Sequence, residues 1–175
     1  MNALDNELQR HYALLLGLQS PWQVKDVKLK LADKQVEIEL AWTAGAKGVC
    51  PVCGQTCAVY DFAPERTWRH LDTMQFQTVI RARVPRLECA TDGVKTVAVP
   101  WAEPHGRFTR LFERFAIEVL LCARSLTQAA NLLGLSWDEV DHLLRRAVAR
   151  GLSRREFTTL SHLGIDEKSF GAGQS

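Results

Sequence analysis

The sequence predicts an α+β fold, in which a helix, a hairpin and a small cysteine-rich β-domain precede an all-α module. Three observations support this. Apolar residues alternate with period two in several runs between residues 27 and 99, their spacing changes to 3.6 from Phe108 onward, and four of the five cysteines lie within residues 49–104.

The amino-terminal unit is expected to cover residues 1–48. Leu4, Leu8, Leu15 and Leu18 share one helical face, which predicts an amphipathic helix over 3–18 that ends before Ser20-Pro21. Two alternating runs then follow, joined by a short polar turn at 32–34, and they predict a β-hairpin; their apolar positions are Val27, Leu29, Leu31, Val36, Ile38, Leu40 and Trp42.

A β-domain is expected over residues 49–104. Alternation from Phe76 to Val84 and the valines at 94, 97 and 99 predict two strands there. Two prolines and a glycine in 100–106 indicate the domain boundary.

The third unit, residues 105–156, is predicted to be helical. Phe108, Phe112, Phe115, Val119 and Cys122 line one face of its first helix, and two further helices are predicted over 125–133 and 136–150, the last closed by Gly151.

Composition indicates a globular protein and favours no partner by itself. The chain is 46% hydrophobic and 24% charged, with a net charge of +2. No apolar run approaches the roughly 20 residues that span a bilayer, and the start has no signal-peptide pattern, so we expect a cytoplasmic protein without membrane partners. The basic excess lies in 107–155, which has nine arginines against five acids. A solvated helix face explains that excess about as well as a nucleic-acid partner does.

The odd number of cysteines argues against a disulfide framework. A C-x2-C pair, Cys50 and Cys53, has the spacing of half a tetrahedral zinc site, and Cys89 with Asp92 has the spacing of the other half. The sequence therefore predicts a structural Zn²⁺. Cys57 is the rival fourth ligand and His70 a weaker one. The alternatives are a metal-free β-domain with buried cysteines and, less well supported, a redox C-x-x-C pair.

Residues 126–146 have the pattern of a helix-turn-helix. Ser125 with Gln128 and Ser136 with Glu139 have capping-box spacing, and Gly134 lies at the turn between them. In such a motif the start of the second helix reads base edges, and it would present Ser136, Trp137, Asp138, Asp141, His142 and Arg145. Further arginines, Arg146, Arg150, Arg154 and Arg155, favour DNA, although an αα-hairpin that only packs has a similar pattern.

Near the carboxyl end, the segment LGIDEKSF (163–170) begins with a short apolar run, which is followed by Asp166 and Glu167. Such a run could be a strand whose carboxylate holds Mg²⁺ in a two-metal nuclease. The alternative is a solvated surface pair.

These three pieces in this order resemble the ISL3 family of bacterial insertion-sequence transposases, which have an amino-terminal zinc finger, a helix-turn-helix and a DDE catalytic domain of RNase H type. The resemblance covers roughly residues 20–175. It rests on CPVCG (50–54), RTWRHLD (66–72), the cysteine turn at 89–93, PWAEPHGRFT (100–109), the helix-turn-helix and GIDEKSF (164–170).

The resemblance implies that Cys50, Cys53 and Cys89 are zinc ligands, with Asp92 where the family usually has His or Cys. Residues 157–175 would be the first strand of the DDE domain, and Asp166 its first carboxylate. The other two carboxylates are absent, so we expect this chain not to cut or join DNA; Mg²⁺ would act only in a full-length relative.

The function expected is sequence-specific binding of double-stranded DNA at the terminal inverted repeats of a transposon, as the amino-terminal part of a DDE transposase. A second copy or an intact transposase could be a partner. The alternatives are a zinc-finger and helix-turn-helix transcriptional regulator, or a zinc-dependent adaptor between proteins.

Overall fold

The computed structural model describes residues 3–156 and confirms the α+β fold. The expected strand over 157–175 lies outside the described residues. The elements are, in order, α1 (Ala3–Leu15), β1 (Trp22–Lys30), β2 (Gln35–Trp42), β3 (Gly48–Val49), β4 (Thr56–Phe62), β5 (Arg66–Thr73), β6 (Phe76–Ala82), β7 (Pro85–Cys89), β8 (Gly93–Thr96), α2 (Arg110–Cys122), α3 (Leu126–Leu133) and α4 (Trp137–Ser153).

The first sheet has the strand order β1-β2-β6-β5. The predicted hairpin is confirmed as the antiparallel pair β1 and β2. β2 then pairs in parallel with β6, and β6 in antiparallel with β5. This sheet therefore joins strands from both sides of residue 48, which the sequence analysis assigned to separate units.

Four tryptophans form the core on this sheet. Trp22 contacts Trp42 and Trp101 edge to face, with ring centroids 5.1 and 4.7 Å apart, and Trp101 contacts Trp68 at 5.5 Å. Such pairs stabilise a core beyond the area that they bury. Trp101 belongs to the segment 100–106, so the expected boundary is a packed part of the core.

The amino-terminal helix packs on this core through a different face from the predicted one. Tyr12 is buried, whereas Leu8 and Leu15 are exposed. The helix also ends three residues early, because Gly17 adopts a positive φ of 61° and Leu18 N donates to Ala13 O at 2.9 Å.

The second sheet is small and has the order β3-β4-β7-β8. Its buried core consists of Leu87 and three cysteines, Cys50, Cys57 and Cys89.

The three carboxyl-terminal helices enclose a separate core, formed by Phe108, Phe112, Ala116, Ala129, Ala130, Leu133, Val140 and Leu143. The face predicted for α2 is only partly correct, because Phe115 and Cys122 are exposed. Glu113 is buried instead, where it pairs with arginines of α4.

This helical module is attached to the edge of the first sheet. Arg69 N donates to Arg107 O at 2.9 Å, and Thr109 N donates to Arg69 O at 3.0 Å. These two bonds use backbone groups that edge strand β5 would otherwise leave unpaired.

The turn between α3 and α4 depends on Gly134. Its φ is 62°, and Leu135 N donates to Ala130 O at 3.0 Å, which closes the end of α3. A residue with a Cβ is strained in this conformation.

We therefore predict that Gly134→Ala lowers the free energy of unfolding by about 1–2 kcal/mol. Gly151→Ala is the matched control, because Gly151 lies within helical α4 and nothing is within 4 Å of an added Cβ. The free energy of unfolding of Gly151→Ala should be about 0.5–1 kcal/mol higher than that of the wild type. Urea unfolding measures both, and equal effects of the two substitutions would contradict the role given to Gly134.

Candidate metal cluster and nucleic-acid interface

Two turns of the second sheet bring four potential metal ligands together. Cys50 and Cys53 lie in the turn after β3, which reverses through Gly54 at a φ of 75°. Cys89 ends β7, and Asp92 lies in the turn before β8. The ligand atoms of these four residues all lie within 4.8 Å of one another.

The distances between the ligand atoms suit tetrahedral coordination of a metal ion. Asp92 Oδ2 is 3.4 Å from Cys50 Sγ and 3.5 Å from Cys89 Sγ, and Cys53 Sγ is 3.4 Å from Cys89 Sγ. Zinc–sulfur bonds of roughly 2.3 Å place tetrahedral sulfurs about 3.8 Å apart. The four side chains are therefore already spaced as zinc ligands.

The electrostatics of the cluster also favour a cation. The Asp92 carboxylate beside Cys53 raises the pKa of that thiol to about 12. In contrast, the backbone N–H groups of Asp92 and Thr91 lower the pKa of Cys89. The Cys53 thiol therefore resists ionising beside Asp92 unless a positive charge lies next to them.

Cys57 and His70, the other two candidate ligands, lie outside this group of four. Cys57 Sγ donates to Gln55 O at 3.4 Å, and burial raises the pKa of its thiol. His70 Nδ1 lies 2.9 Å from Thr109 Oγ1, at the junction with the helical module.

At this junction the hydroxyl of Thr109 links two elements. Its oxygen accepts from Phe112 N at 3.2 Å and so caps α2, and the same hydroxyl forms a hydrogen bond with the ring of His70. Burial, together with the nearby Arg69 charge, lowers the pKa of His70 to about 4.

The helix-turn-helix has the predicted caps. The side chain of Ser136 accepts from Glu139 N, and the carboxylate of Glu139 accepts from Ser136 N at 2.9 Å, which completes a capping box. Ser125 accepts from Gln128 N at 3.2 Å, but the Gln128 side chain accepts from Arg124 N instead of closing the box.

Most of the residues predicted to contact DNA share the outer surface of α4 and its carboxyl end. The exposed ones are Ser136, Trp137, Asp138, His142, Arg145, Arg154 and Arg155. Asp141 is half-buried, and its carboxylate accepts from Arg145 Nε at 2.6 Å.

Arg146 and Arg150 are placed differently, because both pair with buried Glu113 of α2. Arg150 Nη1 lies 3.1 Å from Glu113 Oε2, and Arg146 Nη2 pairs with Glu113 Oε1. Burial lowers the pKa of Arg146. Sequence reasoning missed Glu113, although an acid within an apolar helical face is the usual sign of a buried ion pair.

Asp166, the expected first carboxylate of a catalytic triad, lies outside the described residues. Its role remains an expectation from the resemblance.

Two family models match the chain. The zinc-finger model of transposases IS204/IS1001/IS1096/IS1165 matches residues 46–92, which contain the metal cluster. The helix-turn-helix model of transposase family ISL3 matches residues 97–148. The chain belongs to the ISL3 transposase family. In this ISL3-family chain the helix-turn-helix match includes Trp101, which belongs to the tryptophan core and whose carbonyl accepts from Arg110 N of α2 at 2.8 Å.

Curated relatives agree with this assignment. The transposase for insertion sequence element IS1557 from Mycobacterium tuberculosis, in strains CDC 1551 / Oshkosh and ATCC 25618 / H37Rv, is 30% identical over 167 residues. That alignment covers 92% of this chain and 37% of the relative, so the chain spans little more than a third of the relative's length.

No solved structure matches the chain. Within residues 3–156, no helix has both the length and the apolar character needed to cross a membrane.

We predict that His70 makes stability depend on pH. Its pKa is about 4 in the fold against 6.5 unfolded, so the unfolded chain binds the proton first as the pH falls. The stabilisation is complete above about pH 6.5 and is lost toward pH 4, by roughly 3 kcal/mol in total. Urea unfolding over this range should give His70→Gln a shallower pH dependence than the wild type. The substitution leaves the four-residue cluster unchanged, so any pH dependence that comes from the cluster is the same in both proteins. Identical dependence of the unfolding free energy on pH would therefore contradict the assignment to His70.

Proposed function

We propose that this chain binds a specific DNA sequence through α4, as the end-recognition part of an ISL3-family transposase. The observation that carries the proposal is the capped, exposed amino-terminal half of α4, held across a tight turn from α3. Helix-turn-helix proteins present this surface to the major groove. The match of residues 97–148 to the family's helix-turn-helix domain supports the same conclusion.

Individual side chains have chemistry that suits the major groove. The guanidinium of Arg145 can donate two hydrogen bonds to a guanine edge, and Asp141 orients it. Trp137 offers an apolar surface of the kind that contacts a thymine methyl. Arg154 and Arg155 follow α4 without an acid partner among the described residues, and they suit phosphates.

Arg146 and Arg150 have a structural role in this proposal. Glu113 is the most deeply buried member of their cluster, so removing both arginines would leave an unpaired buried carboxylate. The two residues hold α4 against α2, and so fix the angle at which α4 projects.

We further propose that Cys50, Cys53, Cys89 and Asp92 hold a structural Zn²⁺. The ion supplies folding free energy where the second sheet has only a small apolar core. Three thiolates and one carboxylate form a closed, four-ligand set, which suits a structural site rather than a catalytic one.

The target is proposed from the relatives, which are transposases of insertion sequences. Such an enzyme must recognise the ends of its own element, so we propose terminal inverted repeats as the DNA bound here. A second copy of the chain is the proposed partner on paired ends.

The metal proposal predicts different results for the two rival ligands. Cys57→Ala should retain roughly one zinc per chain, because its sulfur lies outside the cluster. Asp92→Ala should lose zinc to a competing chelator more readily, whereas Asp92→Cys should hold it at least as tightly as the wild type. Metal analysis with chelator titration measures all three. Zinc loss in Cys57→Ala together with retention in Asp92→Ala would reverse the assignment.

The DNA proposal predicts that two substitutions lower the affinity for DNA in different ways. Arg145→Ala should cost about 1–3 kcal/mol on a selected duplex and little on a scrambled one. Arg154→Ala should weaken binding to both duplexes to a similar extent. It should also lower the number of ions released on binding, measured from the salt dependence of the affinity, by about one. Titrations of both duplexes at several salt concentrations separate these outcomes, and equal losses for the two variants would show that the roles are misassigned.

A further inference from the structure

A depression of about 710 Å³ lies beside the amino-terminal half of α4. Four of the proposed DNA-reading residues line it, namely Ser136, Asp138, His142 and Arg145. Its opposite wall is the loop before α2, which contributes His105 and Arg107. A duplex seated on those α4 residues therefore lies next to this loop.

The concave surface continues past the loop onto the first sheet. A second depression, of about 620 Å³, shares His105 and Arg107 and reaches the β5 and β6 side chains Arg66, Thr67 and Gln77. Arg107 thus lies between the recognition helix and the edge of the sheet.

The backbone of this loop is held at both ends. Gly106 N donates to Glu103 O at 2.9 Å, and Arg66 Nη2 donates to Gly106 O at 3.1 Å. Arg107 O accepts from Arg69 N of β5. The Arg107 side chain is exposed on this fixed backbone, so binding an anion has to order the side chain but not the loop.

The charges around Arg107 leave it available to an anion. Among the described residues no carboxylate pairs with it, while the nearby acids are engaged: Glu65 accepts from Arg81 at 2.9 Å, and Glu139 belongs to the capping box. Among the acids that line the two depressions, Asp138 alone has neither an ion pair nor a capping role within residues 3–156.

We propose that the loop 104–107 is a second DNA contact, in which Arg107 binds a phosphate of the strand that flanks the bases read by α4. The proposal rests on the proposed function, because it assumes that α4 enters the major groove. It adds that the edge of the first sheet, and not the helix-turn-helix alone, fixes the register of the protein on the duplex. Phosphate contacts have this positioning effect without reading sequence.

The test compares Arg107→Ala with Arg83→Ala in the full chain. Arg83 is an exposed arginine that bonds only backbone carbonyls among the described residues and lines neither depression. The probes are a duplex selected from a random library by the wild type and a scrambled duplex. We expect Arg107→Ala to bind both about tenfold more weakly and to reduce the salt dependence by about one ion. Arg83→Ala should match the wild type.

Phosphate-ethylation interference locates the contact. The wild type should show interference at a phosphate next to the bases where Arg145→Ala relaxes specificity, and Arg107→Ala should lose that signal alone. Replacing this phosphate with a neutral methylphosphonate should weaken the wild type but not Arg107→Ala.

Other results would overturn the inference. Wild-type affinity and an unchanged interference pattern in Arg107→Ala would remove the contact while leaving the proposed function intact. A loss confined to the selected duplex would show that Arg107 reads a base rather than a phosphate. If the wild type enriches no sequence and binds no duplex, the proposed function fails and this inference fails with it.

Discussion

The attachment of residues 107–109 to edge strand β5 is the constraint on which the arrangement of this molecule depends. Two backbone hydrogen bonds join Arg69 to Arg107 and Thr109, and the His70–Thr109 bond lies beside them. Because Thr109 is also the cap of α2, the first residue of the helical module is fixed by the sheet. The direction of α2, and through its packing that of α4, follows from this contact.

The two sheets have cores of different kinds, and the Zn²⁺ proposed above would stabilise only the second. The first sheet is covered by a large apolar core that contains Trp22, Trp68 and Trp101, with Trp42 packed against it. The second has a single fully buried aliphatic side chain, Leu87, surrounded by cysteines, which is too little apolar burial to hold a small sheet. The three cysteines proposed as ligands lie in the turn after β3 and at the end of β7, where they can add to this small core.

Much of the fold could be predicted wherever local pattern determines structure. Period-two alternation located β1 and β2, and the Ser136 capping box with Gly134 located the helix-turn-helix. The cysteine spacing named the four residues that the structure brings together. β4, β5 and β7 were missed because their buried faces have few apolar residues of the usual strand type. The buried positions of β5 are Trp68 and His70, and those of β7 are Pro85, Leu87 and Cys89. The parallel pairing of β2 with β6 joins segments about forty residues apart, and no local pattern encodes it.

The arginines show most clearly where sequence reasoning ends. Counting charge placed Arg145, Arg146 and Arg150 in one basic cluster, but their partners separate them: Arg145 is exposed beside Asp141, while the other two pair with Glu113 from a different helix. That carboxylate lies 33 or more positions earlier in the chain, so its pairing depends on how α2 and α4 cross. Arg107 is the reverse case. The sequence indicates only that its loop is a domain boundary and does not point to a binding residue there. The structure fixes its backbone on β5 and places it beside the reading surface of α4. The segment that joins the two parts of the molecule is therefore also positioned to contact what α4 binds.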